Sequence, residues 1–233
     1  MTREVLCHKC GDAGWLWVHE LDSYRPDPHD CYSDDTRYTC DRCRGGILLD
    51  DYQREALKTG DNMLLDKYQA DAQSTAIYPG ALMYPTLGLC GEVGEFTESI
   101  VFPCALTSPT KEAGDVLWYI ANVAYDAGLP LSAVTEVDSF EDIPFVGYCG
   151  CEDALCCDLT IFAGRVAENV KKAFRDNAGE LTEVRLENIR KALKSLLFGL
   201  AKMVDLEVCA QMNLDKLFDR KERGVLGGDG NDR

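Results

Sequence analysis

A chain of 233 residues with 24 basic and 40 acidic side chains carries a formal net charge of −16, which opposes any general attraction to a nucleic-acid backbone or an anionic membrane. Hydrophobic residues make up 46% of it, enough for a real core, but it has no apolar run of about 18 residues and its start, MTREVLCHKCGD, lacks the apolar stretch of a signal peptide. We expect no membrane partner and a cytoplasmic location, with the twelve cysteines serving as metal ligands and buried thiols rather than as a disulfide framework.

Residues 1–48 read as a small separate module, a β-rich zinc ribbon. Cys7-His-Lys-Cys10 and Cys40-Asp-Arg-Cys43 are two CxxC knuckles, with Gly11 after the first and the Gly45-Gly46 pair shortly after the second. Each knuckle aims two thiolates at one ion, and two of them complete a closed tetrahedral site, so a structural Zn²⁺ on Cys7, Cys10, Cys40 and Cys43 is expected. His8, His29 and Cys31 are then left over. Trp15, Trp17, Tyr32 and Tyr38 either pack the ribbon or stack on a base, the one route by which this chain would meet nucleic acid.

From residue 49 the texture turns helical, and we divide it into a first unit at 49–134, a linker at 135–153 and a second unit, with a glycine-rich tail, at 154–233. Helical patterns run through DYQREALKTG, through 62–76, and through TLGLCGEVGEFTESIVF between Pro85 and Pro103. The next helix has Ser108 as N-cap and Pro109 at its first position, and stops at Gly128 with Pro130 beyond. Residues 135–153 are acidic and irregular, and helical periods resume at 154–174, 182–206 and 208–222.

Glu92 and Glu95 lie three apart on one helix, and Glu112 and Asp115 three apart on the next, so each pair shares a face. Leu89, Val93, Phe96 and Ile100 form the apolar stripe of the first; Ala113, Val116, Leu117, Ile120 and Ala124 that of the second. Acidic pairs are commonly just solvated. Against that reading, Gly91, Gly94 and Gly114 each cost about 1 kcal/mol relative to alanine within a helix. Glycines there permit close helix approach, and four carboxylates drawn together need cations between them. Hard oxygen donors in this number suit Mg²⁺ or Mn²⁺.

The pattern E-x-x-E followed by E-x-x-D, written here GLCGEVGEFTE (88–98) and KEAGDVLWYIA (111–121), resembles the metal-binding signature of the MazG-like all-α nucleoside triphosphate pyrophosphohydrolases. DYQREALKT and the closing NLDKLFDRKERGVLGGDGNDR look like the ends of phage-type members, which would place the protein in a host cytoplasm. The resemblance spans about residues 50–130 and 160–233 and leaves out the zinc ribbon. It implies a mainly α fold and hydrolysis of a nucleoside triphosphate to the monophosphate and pyrophosphate, with Glu92, Glu95, Glu112 and Asp115 as Mg²⁺ ligands. Glu98 is placed to orient or deprotonate the attacking water, or is a solvated side chain. A dUTP or dCTP hydrolase of the same superfamily, a phosphoribosyl-ATP pyrophosphohydrolase and a non-catalytic zinc-ribbon adaptor are the competing functions.

The helical body also repeats itself. GEVGEFTESIVF laid on GRVAENVKKAFR sets Gly91 on Gly164 and Glu95 on Glu168; the following helices set Leu117 on Leu196 and Asp126 on Asp205. Three ligand positions turn basic in the second copy, with Arg165, Lys191 and Lys194 opposite Glu92, Glu112 and Asp115. Either the second copy has decayed, or the copies pair as an internal pseudo-dimer around one asymmetric site. On the pairing model Lys171, Lys172 and Arg175 bind phosphate, and Asn213, Lys216 and Arg220 on the last helix close the pocket. Homodimerisation of the whole chain is left open. Cys149, Cys151, Cys156 and Cys157 form a second cluster, either a metal site or free thiols, while Cys90, Cys104 and Cys209 read as small apolar packers.

Overall fold

The computed structural model describes residues 2–6, 13–17, 62–102, 107–135 and 152–227. Two strands, β1 (Thr2–Leu6) and β2 (Ala13–Trp17), pair antiparallel with Thr2 opposite Trp17 and Leu6 opposite Ala13. Cys7, Cys10, Cys40 and Cys43, and with them the expected zinc site, lie outside the described residues, as do 51–60, Cys104, Cys149 and Cys151.

The rest of the described chain is helical: α1 (Asn62–Gln73), α2 (Met83–Val101), α3 (Pro109–Asp126), the short α4 (Leu131–Thr135), α5 (Glu152–Asn177), α6 (Glu183–Ala201) and α7 (Leu206–Glu222). The main architecture is mainly α, as the periodicity predicts. Among these helices α4 was not anticipated; it occupies the end of the first unit and reaches into what was read as linker.

Local chemistry explains the boundaries. Ser108 is extended, Pro109 occupies the first turn where no amide donor is needed, and the Ser108 carbonyl accepts from the Lys111 and Glu112 amides. At the other end Gly128 takes φ +72°, the left-handed conformation that lets the chain turn back, and the Leu129 amide reaches the Ala124 carbonyl at 2.9 Å. Thr182 caps α6 through its hydroxyl, and Asp205 caps α7 by accepting from the Glu207 and Val208 amides.

Helices α2, α3, α5 and α6 surround one core that draws Leu89, Val93 and Phe96 from α2, Ile120 from α3, Leu159 and Val166 from α5, and Leu193 and Leu196 from α6. α2 packs on α5, α3 on α6, α4 on α6 and α7 on α3. The last helix α7 thus packs against the first unit, while α4 packs against both α1 and α6. One side chain ties α1 into this frame: Gln69, buried, donates to the Ala121 and Leu129 carbonyls and accepts from the Leu131 amide.

One sequence expectation holds and one needs correction. The polar face of α3 is buried at Glu112 (2% exposed) and Asn122 (0%), as expected where an acidic face is not merely solvated. The three glycines, however, do not all serve close packing. A methyl at Gly91 or Gly94 would meet nothing within 4 Å among the described residues. Close approach occurs at Gly114, where a Cβ would sit 2.7 Å from the Cys209 carbonyl oxygen on α7, and at Gly88, under the Tyr119 ring.

Candidate functional site

Helices α2 and α3 lie side by side and bring Glu92, Glu112 and Asp115 to one spot, where their carboxylate oxygens lie within 4.8 Å of one another. Glu95 lines the same cleft, from a more exposed position one turn on. The absent side chain at Gly114 is what allows α7 to press against α3 here. From α7, Asn213 Nδ2 donates to Asp115 Oδ1 at 2.6 Å, and the Lys216 ammonium donates to the same oxygen. Arg220, one turn further along α7, is buried and also lines the cleft.

The electrostatics follow from crowding. Burial first, then the charges of Asp115, Glu95 and Glu112, push Glu92 from 4.5 up to about 8, with Lys216 opposing. Glu112 is raised by burial and by Asp115, with Lys111 opposing. These carboxylates resist carrying full charge together, although the Lys216 ammonium reaches Asp115 and that of Lys111 lies 4.0 Å from Glu112. Asn213, 3% exposed, has its amide group committed to Asp115 while its Oδ1 is buried without a donor. Several hard oxygens converging on one point, with an unused acceptor beside them, fit a Mg²⁺- or Mn²⁺-sized cation. Among the described residues this is the one group of carboxylates, thiols or imidazoles close enough to hold an ion.

The cleft has a volume of about 450 Å³, within the usual range for a small-molecule site. Beyond the carboxylates its wall is aromatic. Tyr78 stacks on Tyr84 with centroids 4.9 Å apart, Trp118 meets Tyr78 edge-on at 6.1 Å, and Tyr119 meets Trp118 edge-on at 4.8 Å. The aromatic wall is not among the features anticipated from the sequence. Its signal was the repeated Tyr-Pro pair, Tyr78-Pro79 ahead of α2 and Tyr84-Pro85 in its first turn, which carries no periodic pattern to mark it.

Other candidate residues fall elsewhere. Glu98 is exposed and does not line the cleft. Lys171 and Lys172 pair with Glu168, Arg175 pairs with Asp176, and none of the three lines the cleft. In the second unit the counterparts of the ligands are dispersed: Arg165 lies over the Phe162 ring, Lys191 pairs with Glu187, and Lys194 is 1% exposed within α6. Cys156 is buried, its thiol pushed up to about 11 chiefly by burial, and Cys157 is exposed. Cys209 is buried in the core, as expected of a small apolar packer.

No helix among the described residues is long and apolar enough to cross a membrane. No protein-family model matches the chain, and no solved structure matches it significantly. It is 37% identical over 92 residues to the Gene 37 protein of Mycobacterium phage L5, an alignment that takes in 32% of this chain and 81% of the relative.

Proposed function

The chain belongs to the family of that phage protein, and we propose that its acidic cleft hydrolyses a nucleoside triphosphate to the monophosphate and pyrophosphate with the help of Mg²⁺ or Mn²⁺. The observation that carries this reading is the convergence of Glu92, Glu112 and Asp115 within 4.8 Å, at one end of a cleft whose other wall is aromatic.

In this reading Glu92, Glu95, Glu112 and Asp115 hold the divalent ion, whose chemistry is to polarise phosphoryl oxygens and to acidify a coordinated water. Asn213 fixes the Asp115 carboxylate in place through its amide. Lys216 and Arg220, both on α7, face the cleft and supply positive charge for a phosphate chain. The rings of Tyr84 and Tyr119 offer π-faces to a base, which stack without strong sequence preference.

The test is a panel of ribo- and deoxyribonucleoside triphosphates, with dUTP and dCTP included, incubated with Mg²⁺ and scored for pyrophosphate. Pyrophosphate together with monophosphate is expected, and Glu112→Gln or Asp115→Asn should abolish both while helical circular dichroism is kept. No turnover of any nucleotide sinks the enzyme reading. Orthophosphate alone moves the cleavage to the γ-phosphate.

A further inference from the structure

One ring of the aromatic wall, Tyr78, is carried by a short irregular strap, residues 74–82, that joins α1 to α2 and whose conformation is held from outside itself; Tyr84 belongs to α2, and Trp118 and Tyr119 to α3. Leu82 has φ +63°, a left-handed value unfavourable for a residue with a branched side chain, and Gly80 has φ +85°. Such a conformation persists only where neighbours enforce it. The enforcing contacts come from the end of α3. The Leu82 amide donates to Asp126 Oδ2 at 2.7 Å, and the Tyr78 hydroxyl donates to the same oxygen at 3.2 Å. The Tyr78 hydroxyl also lies 3.3 Å from Asn122 Oδ1, and Asn122, fully buried, is oriented by donating its own amide to the Trp118 carbonyl at 2.8 Å. At the strap's start, Trp118 Nε1 donates to Thr75 Oγ1 at 2.9 Å.

One carboxylate therefore fixes both the backbone turn and the tyrosine that the turn carries. Tyr78 in turn stacks on Tyr84, which stands in the first turn of α2, so Asp126 fixes the ring that backs Tyr84, while the carboxylates stand on α2 and α3 themselves. Resting on the nucleotide reading above, we infer that Asp126 is a positioning residue for recognition of the nucleobase: it holds Tyr78 against the Tyr84 ring, so that Tyr84 keeps the orientation a base requires, and has no part in holding the phosphates. Asp126 does not line the cleft, so its influence on a ligand runs through the strap.

A ligand without a base separates this role from general support of the fold. Binding of the α,β-imido analogues of dUTP and dATP, and of tripolyphosphate, is measured with Mg²⁺ on the full chain, beside hydrogen exchange of the peptide spanning 75–84. In Asp126→Ala the strap should exchange faster, both nucleotide analogues should bind about tenfold or more weakly, and tripolyphosphate should change by less than about twofold. Asp126→Asn keeps an oxygen for the Leu82 amide and the Tyr78 hydroxyl and should recover most of the loss. Equal weakening of tripolyphosphate and nucleotides would make Asp126 a support of the whole fold and overturn the inference. Unchanged exchange, or unchanged nucleotide binding, overturns it as well. If the wild-type chain binds tripolyphosphate as tightly as either nucleotide, the base subsite is refuted and the phosphate end survives. If it binds none of the three, the nucleotide reading falls and takes the inference with it.

Discussion

Asn213 on α7 donates its amide to Asp115 on α3 at 2.6 Å, across 98 positions of sequence, and the Lys216 ammonium shares the same carboxylate oxygen. Asp115 is thus the point where the last helix is anchored to the acidic cluster. Lys216 offsets the charge gathered on Glu92 and Asp115 from α7, while Lys111 does so at Glu112.

Lys216 and a divalent ion should therefore compete. Lys216→Met is expected to melt earlier than wild type with no divalent ion added, and to bind Mn²⁺ about tenfold more tightly, since a charge a few ångströms away is worth on the order of 1 kcal/mol or more in a partly buried site. Pyrophosphate release should fall in the same variant because the phosphate chain loses a cation. Calorimetric titration with Mn²⁺ decides it; identical affinities would show that Lys216 does not oppose the ion.

Glu92 gives the site a pH signature. Its carboxyl is raised from 4.5 to about 8 in the folded chain, so the folded state binds the proton more tightly than the unfolded one. The sign follows: the stabilisation is fully present below about pH 4.5 and is lost as the pH rises through about 8. The groups facing Glu92 are Asp115, Glu95, Glu112 and Lys216. Glu92→Gln cannot ionise, so without added divalent ion its melting temperature should overtake that of wild type progressively between pH 5 and 8.5. Mn²⁺ affinity of the wild type should climb over the same interval, because the cation must displace a proton. A melting difference that stays flat with pH would refute the raised carboxyl.

The glycines of α2 and α3 should behave oppositely. Gly91→Ala and Gly94→Ala meet no described neighbour and should each stabilise by about 0.5–1 kcal/mol through helix propensity. Gly114→Ala places a methyl 2.7 Å from the Cys209 carbonyl and 3.0 Å from Asn213 Cβ. It should cost about 1–3 kcal/mol by overpacking and weaken Mn²⁺ binding as α7 is pushed from Asp115. Urea melts of the three variants give the comparison. A silent Gly114→Ala would mean that the two helices are not held at this spacing.

For the N-terminal module, two CxxC knuckles with no need of other ligands predict one zinc per chain. Elemental analysis of purified protein should find it, and Cys40→Ser should remove it. Zinc content that survives Cys40→Ser assigns the ion to other side chains, with the second cysteine cluster the first to examine.

Periodicity and caps carried most of the helical body in the sequence. The stripe Leu89, Val93, Phe96 is buried as its spacing requires, and Ser108-Pro109 and Gly128 bound α3 as their chemistry requires. These are local effects: a buried face repeats with the helix turn, and a cap acts on the adjacent amides. The paired carboxylates were legible for the same reason, since residues three apart always share a face.

What lay beyond the sequence was which faces meet. Glu112 gains its burial only from the helices packed around it, and Lys171, Lys172 and Arg175 look like phosphate ligands until their own helix supplies Glu168 and Asp176 as partners. Asn213 and Lys216 reach Asp115 only because Gly114 lets two helices touch. One ring of the aromatic wall, Tyr78, is carried by a strap held by Asp126, dozens of residues away. Helix formation is decided by interactions within a few residues, whereas a site is decided by contacts between elements, and their geometry exists only once the chain has packed.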